Sequence, residues 1–324
     1  MPKEAAYHVF SDLQPCLGKQ VTIEYPGDGP PSLDIITTAS EPVPPEELYR
    51  ERLRPQFHFS SRRSSQAAGH TRRRPKTEVN VLQQVSHIVM AVRDLETCRS
   101  LYGGPLGLPV IENGDEQSCL FQLGPTLLEL QQDDSEQSVE TRPAIDHFAL
   151  YVDSTNDTYA VLKDTCVSLQ GPPHDTLLGH RNMQRSLMAF QDPNGFNVQI
   201  SETIDTRDEL EARRSAKRQM AEGSDGLFGG IDHISTYCSD FSANRSFYTE
   251  ILGLEEFFYS NTREEGEVVA TEFEQGAFAV GGTDIELASD ETWTDIGPGT
   301  IQQLGFSTDD IDHAFKVLRE RSVC

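Results

Sequence analysis

The chain has 324 residues, of which 36% are hydrophobic, and carries a formal net charge of -25 at pH 7. Its length predicts about two globular domains. The negative charge opposes binding to nucleic-acid phosphates, and no apolar run approaches the roughly 20 residues of a membrane span. We therefore expect neither nucleic-acid nor membrane partners. The N-terminus lacks the basic region and apolar core of a secretory signal, which predicts a cytoplasmic location.

The first 80 residues differ in composition from the rest of the chain. They hold 10 of the 18 prolines and 11 Lys and Arg against 10 Asp and Glu, so nearly all of the negative charge follows them. We divide this part into an N-terminal segment, 1–65, and a flexible linker, 66–82, which lacks the apolar periodicity of a packed element. The stretch YRERLRPQFHFSS (49–61) resembles the start of a glycoside hydrolase family 32 domain without its nucleophile, which implies a remnant.

An internal repeat organises everything after residue 80. Residues 87–108 align with 233–254 without a gap, with nine of 22 positions identical, and 144–163 align in pattern with 300–319. Each copy opens with an alternating strand and continues through an Asp cap, a helix, a glycine and further strands. The sequence therefore predicts four βαβββ units and an α+β fold.

Three motifs identify the repeat as similar to the vicinal-oxygen-chelate superfamily, which includes glyoxalase I, extradiol dioxygenases and bleomycin resistance proteins. The motifs are DHFALYV (146–152), FYTEILGL (247–254) and QDPNGFNVQISE (191–202). The resemblance implies paired βαβββ modules that form a curved mixed sheet around a cleft.

We expect neighbouring units to pair, so that two domains follow in tandem, 83–204 and 229–324, joined by a charged helical linker, 205–228. The last unit has no room for its closing strands before residue 324. We therefore expect an unpaired sheet edge there, and a second domain that is less stable than the first.

The resemblance also implies metal ligands on the first strand and a late strand of each unit. It predicts that His87, Glu129, His147 and Gln199 converge on one divalent ion, with Ni, Zn, Fe, Mn and Co left open. A lower-ranked second site contains His233, Glu286 and Gln303. Glutamine has no usable basicity, so Glu129 is the expected proton-transfer residue.

These residues favour a metal-dependent, glyoxalase-like isomerase or lyase that acts on a small-molecule substrate with adjacent oxygens. Two alternatives stay open. One is a metal-free module of the bleomycin-resistance type that sequesters a ligand. The other is a ring-cleaving extradiol dioxygenase, for which the resemblance implies two His and one carboxylate as iron ligands. Assembly as a homodimer is also left open.

Overall fold

The computed structural model describes eleven stretches of the chain: 20–24, 32–36, 80–111, 117–133, 142–143, 145–177, 184–224, 226–260, 274–289, 296–297 and 300–322. The stretch 49–61 that resembles a glycoside hydrolase, and most of the expected linker, lie outside these residues. No helix among the described residues is long and apolar enough to cross a bilayer.

Two curved mixed sheets and a short two-stranded one contain all the described strands. We call the first the outer sheet, since its strands come from the two ends of the chain, in the order β2-β1-β17-β3-β6-β5-β4. Its strands are β1 (Gln20–Glu24), β2 (Ser32–Ile36), β3 (Gln84–Val92), β4 (Val110–Ile111), β5 (Ser118–Leu123), β6 (Thr126–Gln132) and β17 (Ile301–Ser307).

The inner sheet comes from the middle of the chain, in the order β13-β14-β15-β12-β8-β11-β10-β9. Its strands are β8 (Ile145–Tyr151), β9 (His174–Leu177), β10 (Gln184–Gln191), β11 (Asn197–Thr203), β12 (Gly230–Cys238), β13 (Glu255–Ser260), β14 (Gln275–Val280) and β15 (Thr283–Ser289). A parallel pair, β7 (Arg142–Pro143) and β16 (Ile296–Gly297), forms the third sheet.

Three helices begin at side-chain caps, two of them at the predicted Asp94 and Asp240. Asp94, Ser154 and Asp240 each accept a hydrogen bond from a backbone N–H in the first turn, which satisfies one of the free donors there. The helices are α1 (Leu95–Gly103), α2 (Thr155–Leu162), α3 (Glu211–Ala221), α4 (Phe241–Ser246, continued by a π-turn, Phe247–Ile251) and α5 (Ile311–Ser322).

The units pair in a nested order rather than in tandem. In the inner sheet β8 of the second unit lies antiparallel to β12 of the third, and in the outer sheet β3 of the first unit lies antiparallel to β17 of the fourth. The expectation that the first unit pairs with the second (83–204) and the third with the fourth (229–324) is therefore wrong. The repeat gives every unit a similar first strand, so the sequence pattern of a unit does not specify its partner.

The sheet edge beside β17 is covered by the N-terminal segment. β1 pairs antiparallel with β17, and β2 pairs antiparallel with β1. The N–H and C=O groups of β17 therefore find partners on both sides, which corrects the expectation of an unpaired edge there.

The two large sheets are packed against each other. Asn194, in the turn before β11, accepts a hydrogen bond from the Arg93 N–H at 3.1 Å and donates one to the Ala91 carbonyl at 3.3 Å. Gly124 has a φ of +55°, and a Cβ there would lie 2.2 Å from the Gly229 carbonyl oxygen, so a larger residue would force the sheets apart. One apolar core runs through both sheets.

Candidate functional site

The register of the inner sheet brings two histidines together. Ser235 on β12 lies opposite His147 on β8, and His233 lies opposite Ala149. Residues two apart on a strand share a face, so both imidazoles project on the same side of the sheet. Their Nε2 atoms lie 3.3 Å apart, and the rings meet edge to face with their centroids 5.4 Å apart.

Each imidazole is oriented by the aspartate that precedes it. The Nδ1 atom of His147 lies 2.6 Å from Asp146 Oδ2, and that of His233 lies 2.8 Å from Asp232 Oδ2. An ionised carboxylate only accepts hydrogen bonds, so each Nδ1–H donates to the aspartate beside it. Burial lowers the pKa of His233, which keeps that ring neutral at pH 7. The two Nε2 atoms, which the aspartates do not contact, face each other.

Three further side chains bring oxygens to this face: Asp284, which lies beside His233, together with Gln199 and Glu286. Gln199 on β11 lies beside Ala149, and Glu286 on β15 lies beside Ser235, so both belong to the rows that hold the histidines. The Oε1 atom of Gln199 is buried and has no hydrogen-bond partner among the described residues. A buried acceptor without a partner is unusual and costs free energy.

A buried ion network lies next to these donors. It has three cations and three carboxylates: Arg185 on β10, Arg213 and Lys217 on α3, Asp232, Asp284 and Glu286. Lys217 Nζ lies 2.9 Å from both Asp232 Oδ1 and Asp284 Oδ2, and Arg185 Nη2 lies 3.2 Å from Asp284 Oδ2. Arg185 Nη1 binds Glu286 Oε1, and Arg213 Nη2 binds Asp284 Oδ1.

The network keeps its members charged despite their burial. Burial alone would raise the pKa of Asp232, but Lys217 and Arg185 outweigh it and lower that pKa well below its usual range. The pKa of Asp284 is lowered in the same way, against the effect of burial, by Lys217 and Arg213. Burial would lower the pKa of Arg185, but Glu286 and Asp232 raise it instead. Asp232, Asp284 and Arg185 therefore stay charged at neutral pH despite their burial.

The corresponding face of the outer sheet has a different arrangement. His87 Nε2 lies 2.9 Å from Glu129 Oε2, and both side chains are at most 2% exposed. Gln131 donates a hydrogen bond of 2.6 Å to the other oxygen of Glu129. Gln303 lies in the same row as Val89 and Glu129. In this sheet the histidine and the carboxylate bind each other.

A family model described as the Glyoxalase/Bleomycin resistance protein/Dioxygenase superfamily matches residues 84–200 and 230–323. The chain belongs to this superfamily. The expected family and the α+β fold of βαβββ units are thereby confirmed. A search of curated proteins finds no match.

Several solved structures are similar to this chain at low sequence identity. A mutant of glyoxalase I from Zea mays has a TM-score of 0.49 and 16% identity, with 74% of this chain and 79% of that chain covered. An integron cassette protein from V. cholerae has a TM-score of 0.31 and 19% identity, with 37% and 95% covered. A candidate dioxygenase from Bacillus subtilis has a TM-score of 0.44 and 17% identity, with 71% and 68% covered.

The structure regroups the ligand positions that the superfamily resemblance implied. His147 and Gln199 share a face with His233 and Glu286, whereas His87 and Glu129 lie in the outer sheet with Gln303. The prediction that four residues converge on one ion is therefore wrong. Those residues are His87, Glu129, His147 and Gln199. The reason is the nested pairing, because a cleft forms between paired units and the first two units do not pair.

Sequence reasoning missed the residues that support the histidines. The repeated Ile-Asp-His at 145–147 and 231–233 was a visible signal for Asp146 and Asp232. Arg185 and Lys217 gave no such signal, because a basic residue on a strand end or a connector helix is usually solvated.

The inner-sheet donors are of the types that bind divalent ions. Two imidazole nitrogens and a buried amide oxygen without a partner among the described residues could accept a cation. Among the described residues, no three His, Cys, Asp or Glu side chains form a group that could hold a metal ion. Two carboxylates of β15 share this face, and Arg185 contacts both: its Nη1 binds Glu286 Oε1, and its Nη2 lies 3.2 Å from Asp284 Oδ2.

Proposed function

We propose that this chain is a divalent-metal-dependent enzyme, a glyoxalase-like isomerase or lyase that acts on a small substrate with adjacent oxygens. Its centre would be formed by His147, Gln199, His233 and Glu286 on the inner sheet. The observation that carries the proposal is the pair of Nε2 atoms, 3.3 Å apart, with both Nδ1 atoms held by carboxylates. Metal-binding histidines commonly have such a carboxylate at the other ring nitrogen.

The donor set supports a transition metal. Imidazole nitrogens suit Zn, Ni, Fe and Co, and the amide and carboxylate oxygens add harder ligands that Mn also accepts. These four side chains would hold the ion, which would supply Lewis-acid binding of two substrate oxygens. The buried Gln199 oxygen would gain the partner that it lacks.

Each residue of the centre has a distinct role in the proposed reaction. A bound divalent ion would polarise two adjacent substrate oxygens and make the neighbouring C–H more acidic. Of the two β15 carboxylates on this face, Asp284 is fully buried and bound by Lys217, so Glu286 would accept and return that proton. Asp146 and Asp232 hold the imidazoles with Nε2 directed into the cleft. Glu129, the proton-transfer residue expected from the sequence, is enclosed with His87 in the outer sheet.

The proposal is tested by comparing two glutamates. Glu286→Gln should lower the turnover of a hemithioacetal by roughly 10²–10⁴-fold, the usual contribution of a general base. Glu129→Gln is the matched control and should change turnover by less than about threefold, because Glu129 lies in the outer sheet. Metal content is measured on both variants. If Glu129→Gln alone loses most of its turnover, Glu129 is the proton-transfer residue and the proposed role of Glu286 is wrong.

One observation favours a ring-cleaving dioxygenase as the second candidate. His147, His233 and Glu286 are two histidines and one carboxylate on a single face, the set that binds non-haem Fe(II). Oxygen uptake by the Fe(II)-loaded protein with a catechol would support this reading over the isomerase. If protein purified without added metal binds no divalent ion at all, the metal-free sequestering module is favoured. The cytoplasmic location and the homodimer stay predictions.

A further inference from the structure

We propose that Arg185 and the divalent ion compete for Glu286, so that Arg185 sets how tightly the centre binds metal. The inference rests on the proposed function, since it concerns the same centre. Its observation is separate: the only carboxylate in the proposed donor set is bound by a buried guanidinium.

Arg185 reaches Glu286 across the concave face of the inner sheet. Strands β11, β8 and β12 lie between β10, which carries Arg185, and β15, which carries Glu286. At about 4.8 Å per strand, the flat-sheet separation would be roughly 19 Å, farther than the two side chains together can span. The sheet therefore curls, and the guanidinium crosses the cleft that contains His147 and His233.

Arg185 shares the face of the proposed donors. It lies opposite Thr203 on β11, and Thr203 is four residues from Gln199, so both side chains project on one side of the sheet. The Glu286 oxygen that Arg185 binds also lies 4.0 Å from His233 Nδ1. The guanidinium is thus held beside the imidazoles, and its side chain is 3% exposed.

The charge balance makes simultaneous occupation of Glu286 unfavourable. The three cations of the buried ion network already match its three carboxylates. A divalent ion would add two positive charges beside the guanidinium, in a region where water screens poorly. Metal binding therefore requires Arg185 to release Glu286.

Arg185 can release Glu286 without losing all its partners. Its Nη2 lies 3.2 Å from Asp284 Oδ2, and its Nε lies 3.7 Å from Asp232 Oδ2. These contacts are independent of Glu286, and they would hold the guanidinium at the side of the cleft. Arg185 is thus a positioning residue that acts on the centre through Glu286.

The test is a calorimetric Zn²⁺ titration of the full chain after chelator treatment. Arg185→Gln should bind Zn²⁺ about tenfold or more tightly than wild type, because Glu286 is no longer occupied by a cation. Arg185→Lys keeps the positive charge but cannot contact Glu286 and Asp284 through two guanidinium nitrogens. Its Zn²⁺ affinity should lie between those of wild type and Arg185→Gln. Circular dichroism verifies that each variant is folded. If Arg185→Gln does not fold, the test uses Arg185→Lys alone.

Arg213→Gln is the matched control. Arg213 belongs to the same network but binds Asp284 and the carbonyls of Gly281 and Thr283, not Glu286. If Arg185 competes at Glu286, Arg213→Gln should change the Zn²⁺ affinity by less than about threefold. If only the loss of positive charge matters, Arg213→Gln and Arg185→Gln should gain the same affinity. On a Glu286→Gln background the gain from Arg185→Gln should vanish.

The outcomes separate the two proposals. If Arg185→Gln and Arg185→Lys bind Zn²⁺ no more tightly than wild type, while His233→Ala abolishes binding, the competition is refuted and the metal centre stands. An equal gain in Arg213→Gln also refutes the competition. If His233→Ala binds Zn²⁺ as well as wild type does, the metal is not at this centre and both proposals fall.

Discussion

The inner and outer sheets are built from the same repeated unit, yet their histidines have opposite surroundings. In the inner sheet His147 and His233 each bind an aspartate through Nδ1 and direct Nε2 towards each other. In the outer sheet His87 presents Nε2 to Glu129, and the pair is closed. Equivalent positions in a repeat therefore do not give equivalent sites, because the neighbouring residues decide which ring atom is free.

The residue before each first-strand ligand accounts for this difference. It is Asp146 or Asp232 in the inner sheet, but Ser86 or Gln302 in the outer sheet. Only a carboxylate both fixes the Nδ1 proton and increases the basicity of the opposite nitrogen. The proposed metal centre therefore belongs to the inner sheet, whereas in the outer sheet the buried histidine and carboxylate contact each other.

The largest expected effect separates the two histidine environments directly. His233→Ala should weaken Zn²⁺ binding by at least about 100-fold, because it removes a proposed ligand. His87→Ala, in the outer sheet, should change it by less than about threefold. The measurement is calorimetry on folded, chelator-treated protein, and comparable losses in both variants would abolish the distinction between the sheets.

Stability should differ between the two buried ion clusters. Lys217→Met leaves Asp232 and Asp284 buried with one cation fewer, and should lower the free energy of unfolding by about 3–5 kcal/mol. Glu129→Gln keeps a hydrogen-bonding partner for His87 and should cost only about 1 kcal/mol. Urea denaturation gives both values, and a larger cost for Glu129→Gln would place the more critical charges in the outer sheet.

The aspartates should matter only where they support a histidine. Asp146→Asn keeps the side-chain shape but removes the charge at His147 Nδ1, and should weaken Zn²⁺ binding by about tenfold. Ser86→Ala changes the corresponding residue before His87 and should have no measurable effect. A loss of affinity in Ser86→Ala would indicate that the outer sheet takes part in metal binding.

Acid should act first on the inner sheet. The lowered pKa of His233 in the folded protein means that the unfolded chain takes up this proton more readily. The free energy of unfolding of the metal-free protein should therefore be highest above the ordinary His pKa of about 6.5. As the pH drops below that value, it should decrease by up to about 1.4 kcal/mol per pH unit. His233→Gln should remove this slope in unfolding curves at pH 7, 6 and 5. Persistence of the slope would assign it to another group.

The βαβββ unit could be predicted from the sequence, but the way in which the four units pair could not. Alternating strands, the Asp caps and the glycines after each helix predict the βαβββ unit, because these signals are local. Which first strand lies against which depends on contacts between distant residues, and similar strands give similar patterns. His147 was therefore found but assigned to the wrong partners. Arg185 could not be placed, because its reach to Glu286 depends on the curvature of the whole sheet.

The nested order of strands has a consequence for how the chain folds. The inner sheet is continuous in sequence between Ile145 and Ser289, whereas the outer sheet must join β3 to β17, which starts at Ile301. Closing so long a loop costs entropy and slows folding. Formation of the inner sheet brings the ends of that loop together, so we expect the outer sheet to form second. The histidine pair would then be assembled early, before the chain ends meet.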